Sequence, residues 1–425
     1  MLSRFWLRAV AALSFALLLI PTEAIAQDSA LPGGNAELQY VVMLSRHGVR
    51  PPLSKPGEID KYSAAPWPQW EVKPGYLTPH GYELMKIFGA WDRTKFAGQG
   101  LFAATGCADT AHVTILADSD ERTRETAKAL AEGMFPGCAL EVHARPEGEP
   151  DPLFRGGHSD AALETAAIAG RIGGNANNLT QAFRPQLTAL DQVLAGCGKV
   201  QATNPNRTSI FDVPASLGQG PGYSGFLHGP VNSGSTLVEN LLLEYTDGKA
   251  NVGWGCVDGT KLRALMQIDT ASWEYGVRTK AVAQALASGL VEHIEQSMEQ
   301  NMTGKPVDGA LGKPGDRMLL LVGHDTNIAS VSGLLGIHWI VDGRVDDTPP
   351  GGALLFEIWR SRTDGHRFVR LEYTAETLEQ MREGQALSAA NPPAALPIFI
   401  PGCSGPDMSC TWDGFASVVH SAAVQ

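Results

Sequence analysis

The chain has 425 residues and a formal charge of −12 at pH 7, with 33 Lys and Arg against 45 Asp and Glu and 44% hydrophobic residues. Such a composition excludes a disordered or collagen-like polymer, and an acidic balance is not that of a nucleic-acid binder. The length allows two domains, or one large domain carrying an insertion.

Residues 1–26, MLSRFWLRAVAALSFALLLIPTEAIA, read as an export signal: Arg4 and Arg8, an apolar run from Ala9 to Ile20, then Ala24-Ile25-Ala26 before Gln27. The run is too short to span a bilayer, and no later stretch is long and apolar enough to do so. A soluble periplasmic or secreted protein without membrane attachment is expected. Removing two arginines and Glu23 with that segment takes the charge from −12 to −13. All eleven histidines lie beyond it, so full protonation would leave about −2, a balance that tolerates anionic ligands in acid.

LQYVVMLS (38–45) is a near-continuous apolar strand of the kind buried in a parallel sheet. It runs directly into RHGVRPP (46–52). Cations packed so closely repel one another and resist desolvation unless an anion shares them. AHVTILAD (111–118) is a second strand, and SDERTRETAKALAEGM (119–134) a helix that Ser119 and Asp120 can cap. LEVHA (140–144) predicts another strand.

From about 155 to 305 helical periodicity takes over. Val282, Leu286, Leu290, Ile294 and Met298 repeat at four-residue spacing, a stripe for core packing. The Pro- and Gly-rich stretches 203–225 and 303–315 predict loops or boundaries. GPGYSG (220–225) fits a nucleotide-binding glycine pattern on paper, but Pro221 and the lack of a following helix make it a loop. DRMLLLVGHDTNIASVSGLLGI (316–337) is a strand, a tight turn and a helix from near Thr326; ALLFEIW (353–359) and RFVRLEYT (367–374) are two more strands. The expected fold is α/β, a mixed sheet flanked by helices. Its division is 1–26 signal, 27–154 first part of the α/β domain, 155–305 a mostly helical inserted domain, and 306–425 the second part.

Six cysteines in an exported chain predict three disulfides. Cys107 and Cys138 flank one strand–helix unit, Cys403 and Cys410 close a small loop, and Cys197 and Cys256 pair by elimination. No C-x-x-C or H-E-x-x-H occurs, so no metal site is expected. His112, at the start of a strand, and His293, on the polar side of a helix, read as structural.

Charged residues of functional type follow the strands: Arg46, His47 and Arg50 after one, His324 and Asp325 after another, with Arg122 and Arg124 opening a helix after a third. Ligands of open α/β sheets bind beyond the carboxyl ends of the strands. Arginines and histidines around one cavity make a site for a tetrahedral oxyanion, phosphate above all.

RHGVRPP resembles the R-H-G-x-R-x-P signature of the histidine acid phosphatases, branch two of the histidine phosphatase superfamily, and HDTN (324–327) their second signature. WPQW (67–70), YLTPHG (76–81), ADSDERTR (117–124), DPLF (151–154) and TPPGG (348–352) carry the likeness through nearly the whole mature chain, nearest to the bacterial periplasmic phytases. The resemblance implies a phosphoglycerate mutase-like sheet and hydrolysis of a small phosphomonoester by a monomer without cofactor or metal. It implies that His47 is a nucleophile forming a phosphohistidine, that Arg46, Arg50, Arg122 and His324 hold the phosphate oxygens, and that Asp325 protonates the leaving alkoxide. Asp118 would support them from the pocket edge, and Glu239 would contact an inositol ring.

Departures from the phytase pattern bear on substrate. Leu53-Ser54-Lys55 stands where those enzymes carry Thr-Lys, leaving Ser54 and Lys55 as candidate contacts, and Asp269 stands near a pocket histidine. One fewer cation and one more carboxylate would bind a hexaphosphate less well. Glucose-1-phosphatase is the nearest alternative, although those enzymes carry Asn-Leu in place of Gly48-Val49; a broad acid phosphatase is another. A non-catalytic inositol-phosphate binder would have no need of Asp325, and a cytosolic mutase is opposed by the export signal. The chemistry fits the residue types on its own: imidazole attacks only when neutral, which neighbouring guanidiniums enforce, and an alkoxide leaving group needs a carboxylic acid loaded at low pH.

Overall fold

A computed structural model describes residues 35–54, 57–157, 160–220 and 223–423, leaving aside the side chains of 219–226. The expected export signal at 1–26 and Lys55 lie outside the described residues. Strand β1 (Ala36–Arg46) is the axis of the fold. Its residues from Val41 to Leu44 are 0% exposed because both faces are covered: Val41 and Met43 join one core cluster, Tyr40, Val42 and Leu44 the other. Burying each such side chain stabilises by roughly 1.5–3 kcal/mol.

The later strands are β2 (Val113–Ala117), β3 (His143–Ala144), β4 (Ser216–Gly220), β5 (Tyr223–His228), β6 (Met318–Gly323), β7 (Ile340–Val341), β8 (Arg344–Val345), β9 (Ala353–Ser361), β10 (Arg367–Ala375) and β11 (Ala394–Ile398). The main sheet runs β11-β10-β9-β1-β6-β2-β3. Strands β1, β6, β2 and β3 pair in parallel, and β9, β10 and β11 extend the sheet antiparallel, so it is mixed.

Helices α1 (Pro79–Gly98) and α2 (Glu121–Met134) cover one face. The one-turn α3 (Pro152–Arg155) leads into α4 (Ala161–Arg171), α5 (Asn177–Ala182), α6 (Arg184–Leu194), α7 (Pro230–Thr246), α8 (Gly259–Tyr275) and α9 (Lys280–Thr303). Then come α10 (Asp325–Leu335), α11 (Leu378–Glu383) and α12 (Trp412–Ala423); α9, α10 and α12 line the second face. No helix among the described residues is long and apolar enough to cross a membrane.

Several local expectations change. LEVHA shrinks to the two residues of β3, an exposed edge paired with Leu116 and Ala117. Stretch 203–225 is not all loop, for β4 and β5 pair as a hairpin, Gly220 opposite Tyr223. Of GPGYSG, Gly220 thus ends β4 and residues 223–225 lie in β5, with the two residues between them outside the described residues. In α9 the stripe buries Val282, Leu290, Ile294 and Met298, but Leu286 is half-buried and lines the functional crevice described below. The disulfides join Cys107 to Cys138, Cys197 to Cys256 and Cys403 to Cys410. Closing the 59-residue span between Cys197 and Cys256 stabilises by on the order of 4 kcal/mol in the chain-entropy account.

Candidate active site

Parallel register builds the site. Arg46 pairs with Gly323 and Ala117 with Val322, so β1, β6 and β2 stop at the same level. The next residues, His47, His324 and Asp118, leave the sheet side by side, with the His47 and Asp118 amides still donating to Gly323 and Val322 carbonyls at 3.0 Å. Helix α10 starts at once with Asp325, and α2 two residues after Ser119. Both N-termini add partial positive charge at the strand ends. Gly48 is required here by space: a Cβ would lie 2.9 Å from Met85 Cγ and 3.2 Å from the Gly81 carbonyl of α1.

His47 is 1% exposed, and its Nδ1–H donates to the Gly48 carbonyl at 2.8 Å. A carbonyl only accepts, so the neutral ring carries its proton on Nδ1 and a lone pair on Nε2. Burial first, then the guanidiniums of Arg122, Arg50 and Arg46, hold the imidazole well below the ordinary histidine pKa. The imidazole is therefore kept neutral in acid.

The cations are arranged around it with carboxylates as partners. Arg46 donates to the Thr348 carbonyl at 2.6 Å and contacts Glu239 at 2.7 Å and Asp325 at 2.8 Å. Arg50 reaches Glu239 at 3.0 Å, and Arg122 reaches Asp120 at 2.7 Å. The Nε atoms of Arg46, Arg50 and Arg122 have no hydrogen-bond partner among the described residues. Buried donors left unpaired are costly, and Arg50 and Arg122 line the same crevice as His47, an arrangement that fits an oxyanion.

His324 stands edge-on to His47, ring centroids 5.6 Å apart. Its Nε2 meets Asp118 Oδ2 at 2.5 Å, and Asp118 also receives Arg155 at 2.7 Å. Burial works to raise the Asp118 carboxyl, but His324 and Arg155 outweigh it and keep it ionised. Asp325 is likewise pushed up by burial and held lower still by Arg46 and Arg50. Its Oδ1 accepts the Thr326 amide at 2.8 Å.

His47, Arg50, Arg122, His324 and Asp325 line one crevice of about 590 Å³. Asp118, 0% exposed, stands behind His324 rather than at the pocket edge. Glu239 is not a free helix carboxylate: it bridges Arg46 and Arg50. Ser54 is turned away, into a hollow with Pro51, Trp67 and Trp70, while its neighbour Leu53 faces the crevice. Asp120 caps α2 by position only, because its carboxylate is drawn to Arg122 and Arg155.

Arg155 and the Thr348 carbonyl were not foreseen. Both adjoin motifs singled out in the sequence, directly after DPLF and at the head of TPPGG. Ligand atoms of Asp118, Asp120 and His324 lie within 4.8 Å of one another, a spacing open to a cation, but guanidiniums already occupy both carboxylates.

Comparison with known proteins agrees with this geometry. Residues 37–209 and 252–374 match the family described as the histidine phosphatase superfamily (branch 2). The phytase AppA of Escherichia coli strain K12 is 32% identical over 97% of each chain, and the glucose-1-phosphatase of Salmonella typhimurium 27% identical over 91% of this chain and 93% of its own. The Hafnia alvei phytase solved with tartrate superposes with a TM-score of 0.84 at 31% identity, covering 92% of this chain and 98% of that one. The chain belongs to the histidine phosphatase superfamily, branch 2.

Proposed function

We propose that this branch 2 histidine phosphatase is an exported acid phosphomonoesterase that hydrolyses phytate (myo-inositol hexakisphosphate) or related polyol phosphates through a phosphohistidine. The observation that carries the reading is His47: a buried neutral imidazole, its Nδ1 spent on Gly48, among three arginines with unpaired Nε donors. The three disulfides support export to an oxidising compartment. Similarity to the phytases supports the substrate class.

Arg46, Arg50, Arg122 and His324 would take the phosphate oxygens. His47 Nε2 attacks phosphorus, and the bond to the leaving oxygen breaks as the N–P bond forms. The alkoxide takes a proton from Asp325. Paired with Arg46 that carboxyl is ionised, but a bound phosphate would share the guanidiniums, weaken their hold and let Asp325 take up a proton in acid. Water then attacks phosphorus, gives its proton to Asp325, and the N–P bond breaks to release phosphate.

Release of inorganic phosphate from phytate, glucose 1-phosphate and an aryl phosphate, from about pH 3 to pH 7, tests the reading. Turnover of the aryl and polyol esters with an optimum in acid is expected. No turnover of any ester would leave a phosphate binder in its place.

A further inference from the structure

The ring of His47 is oriented by its Nδ1–H bond to the Gly48 carbonyl at 2.8 Å, so the aim of Nε2 is only as firm as that carbonyl. Gly48 has no Cβ, and a glycine is a soft joint in φ and ψ. The fold stiffens it from behind. The peptide between His47 and Gly48 is pinned at both polar ends: its carbonyl accepts the Gly351 amide at 3.1 Å, and its N–H donates to Thr126 Oγ1 at 2.9 Å. Just past the glycine, the Val49 carbonyl accepts the Thr78 amide at 2.9 Å.

Thr126 supplies the side chain of this clamp, while the Gly351 and Thr78 bonds run from backbone to backbone. It is 0% exposed and does not line the crevice. It follows Arg122 by four residues, one turn of α2, so both project from the same face of that helix. The start of α2 is anchored in turn, because Thr123 Oγ1 donates to the Asp118 carbonyl at 2.7 Å, directly after β2. The register of α2 therefore sets two things together: where the Arg122 guanidinium stands in the crevice, and where the Gly48 amide is held behind it. Without the Thr126 oxygen that buried amide must turn away to find a partner or stay unpaired at a cost.

We propose that Thr126 is a positioning residue for the reaction: by holding the Gly48 amide, its hydroxyl oxygen fixes the carbonyl that orients His47 and so aims Nε2 at phosphorus. The proposal rests on the phosphohistidine reading above. Thr126 touches neither the substrate nor the reacting atoms, so its loss acts on the rate of N–P bond formation and leaves phosphate binding to the arginines.

The test follows phosphoenzyme formation from p-nitrophenyl phosphate by rapid quenching across a range of ester concentrations. It uses the full-length protein, normalised to the folded fraction by circular dichroism. Thr126→Val keeps the shape and removes the acceptor. It should slow formation about 10- to 100-fold and move the half-saturating ester concentration by less than about twofold. Thr126→Ser, which keeps the acceptor, should restore most of the rate. If the valine variant does not fold, Thr126→Ala carries the same expectation, since it leaves room for a loosely held water at the amide. An unchanged rate, a change confined to the half-saturating concentration, or a loss that serine does not restore overturns the role of Thr126. Absence of any phosphoenzyme in the unmutated protein overturns the phosphohistidine reading instead.

Discussion

Two regions of the molecule bury charge, and they relieve it in opposite ways. At the ends of β1, β6 and β2, guanidiniums converge and carboxylates from α7 and α10 stand in as partners. Beside the antiparallel half of the sheet, Asp92 and Lys95 of α1 gather with Glu357, Glu372 and Glu376. There Lys95 pairs with Glu372, while Asp92 and Glu376 have no hydrogen-bond partner among the described residues. Burial pushes Asp92 and Glu357 up to about 7 and Glu376 up to about 8. An arginine cannot shed its charge and must find an anion, whereas a carboxylate can take a proton. The first region is therefore shaped for a ligand and the second for acid.

The sharpest test removes the proposed nucleophile. His47→Ala should abolish the phosphoenzyme trapped by rapid quenching and cut turnover by about 10⁴-fold or more, while the melting temperature changes little. Retained phosphoenzyme would move the chemistry to another residue. Next, Asp325→Asn should cost about 10²- to 10⁴-fold on a polyol phosphate and much less on an aryl phosphate, whose leaving group needs little protonation. Equal losses on both would contradict the proton-donor role.

A smaller effect probes the internal counter-ion. Glu239→Gln strips Arg46 and Arg50 of a shared carboxylate, so inorganic phosphate should inhibit about fivefold more tightly. Weaker inhibition would show that Glu239 organises the arginines rather than competing for them. The smallest effect lies in the acid cluster. Glu376 has its folded pKa raised above the unfolded value, so its stabilisation is full below about pH 4 and fades as pH rises through about 8. His47 and His324, both lowered, pull the other way, but only below the ordinary histidine value of about 6.5. Between about pH 6.5 and pH 9 the melting temperature should fall in the unmutated protein, and Glu376→Gln should sit about 2–4 °C above it at the alkaline end while matching it at pH 5. A parallel shift at all pH values would mean the carboxyl does not titrate in that window.

Much of this was legible in the chain because strands that end in charge are rare and local. The apolar run 38–45, the six-residue run before His324 and the helix after Asp120 set register and direction, and these place His47, His324 and Asp325 together. Partners supplied across the fold were not legible. Glu239 meets Arg46 and Arg50 over sequence separations of 193 and 189, and only the docking of α7 determines that encounter. The β4–β5 hairpin was not legible because Gly- and Ser-rich strands lack the β-branched alternation that marks such elements. Leu286 read as core because periodicity cannot tell a packed surface from a cavity wall.

The bond from His47 to the Gly48 carbonyl has a practical corollary for redesign. It is made by the peptide backbone, so no side-chain substitution around the crevice can delete it. Libraries that randomise side chains lining the crevice would thus leave the orientation of the His47 ring to this backbone contact.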